Sequence, residues 1–368
     1  MLFVTIVGFV LILSILVIIH ELGHFITAKK LGIKVEEFGF GFPPRVFGIK
    51  RGETLYSINL LPVGGFVKLY GEDAAGGGSV KLKGQESLKD KKRAFFARPA
   101  WQRASVILAG VFMNFVLAIV IISYLFTTQG VAIPTDNIKI VDVARDAPAY
   151  SSGLKSGDEI ISLNSKKITS VEEFISTTKE HLGQPVVLEV KRDGQVFDLT
   201  VAPRENYPKG EGPFGIAITN IEVKKYKWFE APFFGTIEAG KFSFLIVQSL
   251  GSTLFNLVAH GTKPVGVAGP VGVAQVVGQA MSVSLNATLW VMALLSLNLA
   301  VLNILPIPAL DGGRLFFIII ELVTRRKVNP KYENYAHAAG LFILLGLMVV
   351  ITFFDIIRVI AGKSIIAP

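Results

Sequence analysis

Two histidines four residues apart, His20 and His24, flank Glu21 in the stretch SILVIIHELGHFITAKK, residues 14–30. On a helix, positions i and i+4 share a face, so both imidazoles can offer a nitrogen to one tetrahedral metal. Glu21 lies close to such a metal without being forced onto it, which suits a general base. Zinc is the ion this spacing predicts. A pair of polar side chains satisfied in a helix bundle is the alternative, and it fits poorly. Residues 2–19, just before the motif, carry no charge, and ionisable groups buried beside such a segment are costly and mark function.

A catalytic zinc takes three protein ligands and leaves a position for water. Three further histidines are present. His181 and His260 fall in segments that read as solvated, and His337 opens an apolar run where an interfacial role suffices. Asp311 is better placed. It ends NLAVLNILPIPALDGG, in which Pro306, Pro308, Gly312 and Gly313 break the helix. Broken helix at membrane depth is tolerated where it lines a protein cavity. The bland reading of Asp311 is a residue that ends a helix in a turn.

The elements that must carry these residues are apolar. The 368 residues are 51% hydrophobic, with a mean hydropathy of +0.54. Residues 2–19, 104–126, 287–310 and 336–354 are uncharged runs, each long enough to cross about 30 Å of hydrocarbon as helix. A cleaved leader is disfavoured for the first run, because nothing basic precedes it and Lys29 and Lys30 follow it. The formal charge of +9 does not point to nucleic acid, because of where it lies. Residues 25–103 hold 15 Lys/Arg against 7 Asp/Glu, residues 128–285 hold 15 against 16, and residues 312–335 hold five against two. The positive-inside rule makes the first and third segments cytoplasmic and the second extracytoplasmic. His20, His24 and Asp311 then share the cytoplasmic side, provided no extra span intervenes. The chain has no cysteine, which excludes disulfides and cysteine–metal sites.

Between the runs, residues 35–70 alternate as strands do, with a hairpin turn at KRGE, and residues 72–92 form a linker rich in glycine and charge. Residues 131–205 read as a small α+β domain. IKIVDVA, DEIISLN, PVVLEVKR and QVFDLTV are its strands, and SVEEFISTTKEHL is a helix capped by Ser170 with Glu173 three residues on. Residues 231–260 are apolar but interrupted by Glu238 and Lys241, and read as amphipathic helix lying on a membrane or re-entering it.

HELGH and NILPIPALDGG together resemble the site-2 protease family of intramembrane zinc metalloproteases, most closely its bacterial regulator-of-sigma-E branch. GFGFPP resembles the family's membrane-associated loop, RPAWQRASVILAGVFMNF its second span, and GPVGVA the segment before its third span. APAYSSGLKSGDEIISLNSKKI resembles the core of a PDZ domain. The chain departs from the pattern at Val111, where the family often has proline, and shows one PDZ-like unit where some relatives have two. Carried over, the resemblance makes His20, His24 and Asp311 zinc ligands, Glu21 the base and Asn303 a holder of substrate backbone or of the developing oxyanion. Asn303 has a physical case of its own, since an amide within a span needs partners. Helix-to-helix hydrogen bonding is the competing reading, and it applies equally to Asn114 and Asn298.

The expectation is therefore an α-helical membrane protein of four transmembrane helices, with a cytoplasmic-side β-hairpin region and an inserted PDZ-like domain. Helix 1 with HELGH takes residues 1–32, the hairpin region and linker 33–102, and helix 2 residues 103–127. The PDZ-like domain takes 128–206, and an amphipathic region 207–285. Helix 3 with the LDG motif takes 286–313, a cytoplasmic loop 314–335 and helix 4 residues 336–360. The expected activity is zinc-dependent cleavage of single-span membrane proteins in a bacterial inner membrane, such as a pre-cleaved anti-sigma factor or signal-peptide remnants. Strand-like residues 46–70 would offer an edge to an unwound substrate, or simply form a self-contained hairpin. The PDZ-like domain would bind an exposed peptide C-terminus or act as a steric filter. Rival functions are an inactive membrane adaptor presenting a PDZ domain and a transporter. An adaptor needs none of the four motif residues, and a transporter predicts internal repeats that the sequence lacks.

Overall fold

The computed structural model describes residues 2–72, 91–208, 210–260, 268–326 and 328–361. In order the chain forms α1 (Leu2–Lys30), β1 (Val35–Arg51), β2 (Thr54–Leu69), α2 (Ala100–Thr128), β3 (Val131–Val143), α3 (Pro148–Ser151), β4 (Glu159–Leu163), β5 (Lys166–Lys167), α4 (Val171–Glu180), β6 (Val186–Arg192), β7 (Gln195–Val201) and β8 (Ile216–Lys224). There follow α5 (Ala231–His260), α6 (Pro270–Val283), α7 (Leu285–Ile304), α8 (Asp311–Thr324) and α9 (Pro330–Ile360). Most of the linker expected at 72–92 lies outside the described residues. Two compact units result, one from Met1–Thr127 with Lys227–Pro368, the other Thr128–Tyr226.

Among the described residues of the first unit, four helices are long and apolar enough to cross a membrane: Phe3–Lys30, Ala100–Thr128, Leu285–Ile304 and Lys331–Ile360. Lys29 and Lys30 close α1, where cations favour the negative end of the helix dipole. At the start of α7 the Ser284 hydroxyl accepts the Ala287 N–H at 3.1 Å. α7 stops at Ile304 because Pro306 and Pro308 cannot supply the next backbone donors. The expected third span to residue 313 is therefore shorter, and the expected loop at 314–335 begins as helix. α8 starts at Asp311 and carries the apolar run LFFIIIELV, with Ile318 buried. α6 lacks a side-chain cap of its own. Asp355, buried on α9, supplies one from outside by accepting the Gly269 and Gly272 N–H groups at 2.9 and 2.8 Å.

β1 and β2 pair antiparallel about a turn through Gly52 and Glu53, where KRGE predicts it. The ribbon folds over on itself. Ser57 pairs with both Gly48 and Gly39, and Gly39 pairs in turn with Phe66. Residues 65–69 thus lie at one border of the folded ribbon. The turn is tied down by Glu53, which accepts from Arg93 at 2.7 and 2.8 Å and from Lys29 at 3.0 Å. Hydrogen bonds from Arg93 hold its carboxyl down at about 2, against the opposing effect of burial and with help from Lys29. A core of Ala28, Ile33, Val35, Leu69, Val106 and Ile318 packs α1, the ribbon, α2 and α8 together.

The second unit is an antiparallel sheet in the order β7-β6-β4-β3-β8, with β5 paired to β4. Its core gathers Ile138, Ile160, Leu163, Phe174, Leu188 and Phe214. The sequence places the end of this domain at residue 206. The structure carries it to Tyr226, because β8 pairs along β3 from Val131↔Lys224 to Val143↔Ile216. The Ser170 hydroxyl caps α4 by accepting the Glu173 N–H at 3.1 Å, and the Glu173 carboxylate accepts from Thr169 N–H.

Asp158 is fully buried in this unit and accepts from Arg192 Nε and Nη2 at 2.6 and 2.7 Å and from the Lys155 N–H at 2.8 Å. Burial pushes its carboxyl up, but the Arg192 fork and the Lys155 N–H outweigh it and leave Asp158 below its ordinary range. A folded-state pKa below the unfolded one contributes stability above the unfolded value, near pH 4, that is lost as pH falls through the folded value. Replacing Asp158 by Ala is expected to destabilise the unit by about 3 kcal/mol, because Arg192 loses its buried partner. Hydrogen exchange over residues 128–226 of the full-length protein checks this. β4 and β6 should exchange faster in the variant at pH 7, and the difference from wild type should shrink below pH 4.

Candidate metal centre

α1 presents His20 and His24 on one face, as their spacing dictates. Both are buried, and their rings pack edge to face. The break after α7 brings Asp311, the first residue of α8, to the same place. His20 Nε2 lies 2.9 Å from Asp311 Oδ2, His24 Nε2 lies 3.2 Å from it, and the two Nε2 atoms are 3.1 Å apart. Three lone-pair donors from residues up to 291 positions apart thus converge on one point. Their spacings approach the edge of about 3.3 Å expected for a tetrahedron whose corners lie about 2.0–2.1 Å from a zinc ion. Such a cluster of acceptors is unfavourable unless a cation or protons hold it together, so the donor set fits a metal. Glu21 joins the group, its ligand atom within 4.8 Å of those of His20 and His24.

The surroundings orient these side chains. His24 Nδ1 is 2.8 Å from the Val106 carbonyl, which can only accept, so Nδ1 carries a proton and Nε2 keeps its lone pair for the cluster. Glu21 Oε2 accepts the Val67 N–H at 3.0 Å, which sets the carboxylate beside the 65–69 border of the ribbon. Ser14 Oγ donates to the Pro62 carbonyl at 3.1 Å and so holds the same strand on α1. Asn303 Nδ2 stands 3.3 Å from His20 Nε2, near the donor atoms.

Room for the two imidazoles comes from α2. A Cβ at Gly110 would sit 2.5 Å from His24 Cε1 and Nε2 and 2.8 Å from His20 Cε1. Gly110 is one small residue in an apolar run, and the sequence marks it only as part of the stretch that resembles the family's second span. Asn114 Nδ2 lies 3.5 Å from His20 Nδ1, while its Oδ1 is buried with no partner among the described residues. Asn298, for which bonding between helices is one reading, donates to Leu294 O on its own helix at 3.1 Å.

The other histidines lie elsewhere. His181 Nδ1 bonds the Thr177 carbonyl, and His260 packs on Phe255. His337 Nδ1 accepts the Ala309 N–H at 2.9 Å, which braces the turn (Ala309 φ 77°) that delivers Asp311. Glu321 on α8 is engaged by Arg103 at 2.5 Å.

A family model described as peptidase family M50 matches residues 8–347. The chain belongs to peptidase family M50. Members of this family are site-2 type zinc metalloproteases that act in regulated intramembrane proteolysis, and this chain is such an enzyme, with zinc as its cofactor. A relative from Clostridium perfringens is 37% identical over 344 residues, covering 94% of this chain and 96% of its own. The zinc metalloprotease RasP of Oceanobacillus iheyensis is 31% identical over 96% of this chain and 99% of its own. The regulator of sigma-W protease RasP of Bacillus subtilis is 30% identical over 96% and 98%. Among solved structures, the PDZ domain of an SdrC-like protein from Listeria monocytogenes matches 24% of this chain and 92% of its own at 23% identity, with a TM-score of 0.21.

Proposed function

We propose that His20, His24 and Asp311 hold the zinc and that Glu21 is the general base of an intramembrane endopeptidase. The convergence of two imidazole nitrogens and one carboxylate oxygen within 2.9–3.2 Å carries this reading. Zinc held there would supply Lewis-acid polarisation of the scissile carbonyl and a lowered pKa for water. Glu21 takes the proton from the attacking water and passes it to the leaving amine, from a position fixed by the Val67 N–H. Asn303, whose Nδ2 stands 3.3 Å from His20 Nε2, is near enough to the metal-facing atoms for its amide N–H to serve the oxygen that gains charge.

A helical substrate must unwind before its amides can be attacked. The ribbon border at residues 65–69 lies beside Glu21, which already accepts the Val67 N–H, and its remaining edge groups are where an unwound segment would pair. The distribution of basic residues supports a zinc site near the cytoplasmic face of a bacterial inner membrane, with the inserted unit outside. Helix α5, with Phe233, Phe244 and Phe255 exposed and Glu238 paired to Lys241 at 3.2 Å, lies against the bilayer. The inserted unit is a PDZ-like domain that excludes substrates with bulky outer parts, and the substrates are single-span proteins already trimmed outside, of which an anti-sigma factor is one type. An adaptor role would leave the four gathered side chains without a use.

The test is to reconstitute the enzyme in liposomes with two single-span substrates, one with a folded outer domain and one trimmed, and to map the cut by mass spectrometry. The trimmed substrate should be cut within its apolar segment, nearer the cytoplasmic end, with a chelator stopping the reaction and zinc restoring it. A cut in the soluble flank, or equal cutting of both substrates, would contradict the reading.

A further inference from the structure

Each metal-facing imidazole must keep its Nε2 lone pair free, and that requires the proton on Nδ1 and an acceptor to receive it. His24 has one in the Val106 carbonyl, at 2.8 Å. For His20 the group facing Nδ1 is the side-chain amide of Asn114, with Nδ2 at 3.5 Å. An amide N–H aimed at Nδ1 would demand a lone pair there and put the ring proton on Nε2, the atom that faces Asp311 and His24. The same orientation leaves Asn114 Oδ1 buried without a partner among the described residues. A half-turn of the amide resolves both conflicts, since Oδ1 then accepts from His20 Nδ1–H.

The backbone makes this position a fixed one. Asn114 is wholly buried on α2, one turn beyond Gly110, whose missing side chain admits the two rings. Its own carbonyl accepts from Ser296 Oγ at 2.8 Å, which pins α2 to α7 at this level. We infer that Asn114 is a positioning residue for the metal centre: its amide oxygen accepts His20 Nδ1–H and so turns the Nε2 lone pair of His20 onto the zinc. The two histidines are thus oriented from the same helix, one by a backbone carbonyl and the other by a side-chain amide. This inference rests on the proposal that His20 is a zinc ligand.

The test measures zinc affinity by chelator competition on the full-length protein in detergent, with thermal unfolding recorded alongside. Asn114→Leu removes the acceptor and is expected to weaken zinc binding about 10–100-fold, as loss of an outer-shell partner does. Asn114→Asp keeps an acceptor and is expected to hold zinc within about threefold of wild type. A residue that merely packed helices would give the opposite order, because a buried carboxylate with no N–H to accept is worse tolerated than leucine. Asn114→Ala serves if the leucine variant does not fold, with the same expected loss as Leu. Wild-type affinity in the Leu or Ala variant, or an Asp variant no better than Leu, would overturn the inference. His20→Ala separates the two levels. Zinc affinity unchanged in that variant would sink the ligand assignment itself, whereas affinity lost there but kept in Asn114→Leu would sink this inference alone.

Discussion

Replacing Glu21 by Gln is expected to lower cleavage of a membrane substrate by about 10²–10⁴-fold, the usual contribution of a general base, with zinc content unchanged. The amide keeps the shape of the side chain and an oxygen that still accepts the Val67 N–H, so the strand border stays where it is. What it loses is the carboxylate that the proposed mechanism uses to take a proton from water and release it to the leaving amine. His20, His24 and Asp311 are untouched by the change, and their mutual contacts do not depend on Glu21. Zinc content by atomic absorption and substrate turnover in the same preparation separate the two effects. Turnover within a few-fold of wild type would remove Glu21 from the chemistry. Loss of zinc together with activity would make it part of the metal-binding set instead.

Gly110→Ala is expected to weaken zinc binding by at least about tenfold without unfolding the protein, since ligand sets tolerate displacements of only about 0.5 Å. The added methyl group would stand 2.5 Å from His24 Nε2, well inside contact distance. The atoms it meets are ends of side chains, so the rings can swing aside and the helices need not part. The fold is thereby spared and the ligand geometry is not. Alanine also suits a helix interior better than glycine by about 1 kcal/mol, which favours the folded state of the variant. The expected signature is a melting temperature equal to or above that of wild type, with zinc released at lower chelator concentration. A variant that binds zinc normally would show that α2 does not limit the space around the rings.

These two residues differ in how far the sequence exposes them. Glu21 is legible because helical periodicity turns H-E-x-x-H into a spatial arrangement without any knowledge of the fold. Asp311 is legible because prolines and glycines beside an acidic residue in an apolar run are hard to explain otherwise. The spans are legible because length and the absence of charge are all that crossing a bilayer demands. Gly110 and Asn114 lie in the stretch that resembles the family's second span, but their contact with the histidines depends on the crossing of α2 over α1, which no local pattern encodes. The Val67 N–H is a backbone group, common to nearly every residue, and only the fold makes it special.

Two stretches differ from the sequence expectation for local reasons. Glycine before it and positive charge within it suggest a loop at residues 314–335, yet Leu315 to Val323 are apolar enough to pack Ile318 into the core as helix α8. β8 follows a stretch rich in proline and glycine, and so falls outside the run of strands read before it. Its alternation in IAITNIEVK is the signal that finds it.

The measurement that bears most directly on the central claim is zinc K-edge X-ray absorption of the purified protein, compared with Asp311→Ala. The account predicts about one zinc per chain, nitrogen and oxygen neighbours near 2.0–2.1 Å and the multiple-scattering pattern of two imidazoles. In Asp311→Ala one oxygen neighbour should be lost and binding weakened, with both imidazoles still in place. A site with other than two imidazoles, or a spectrum and affinity unchanged by removing Asp311, would contradict it.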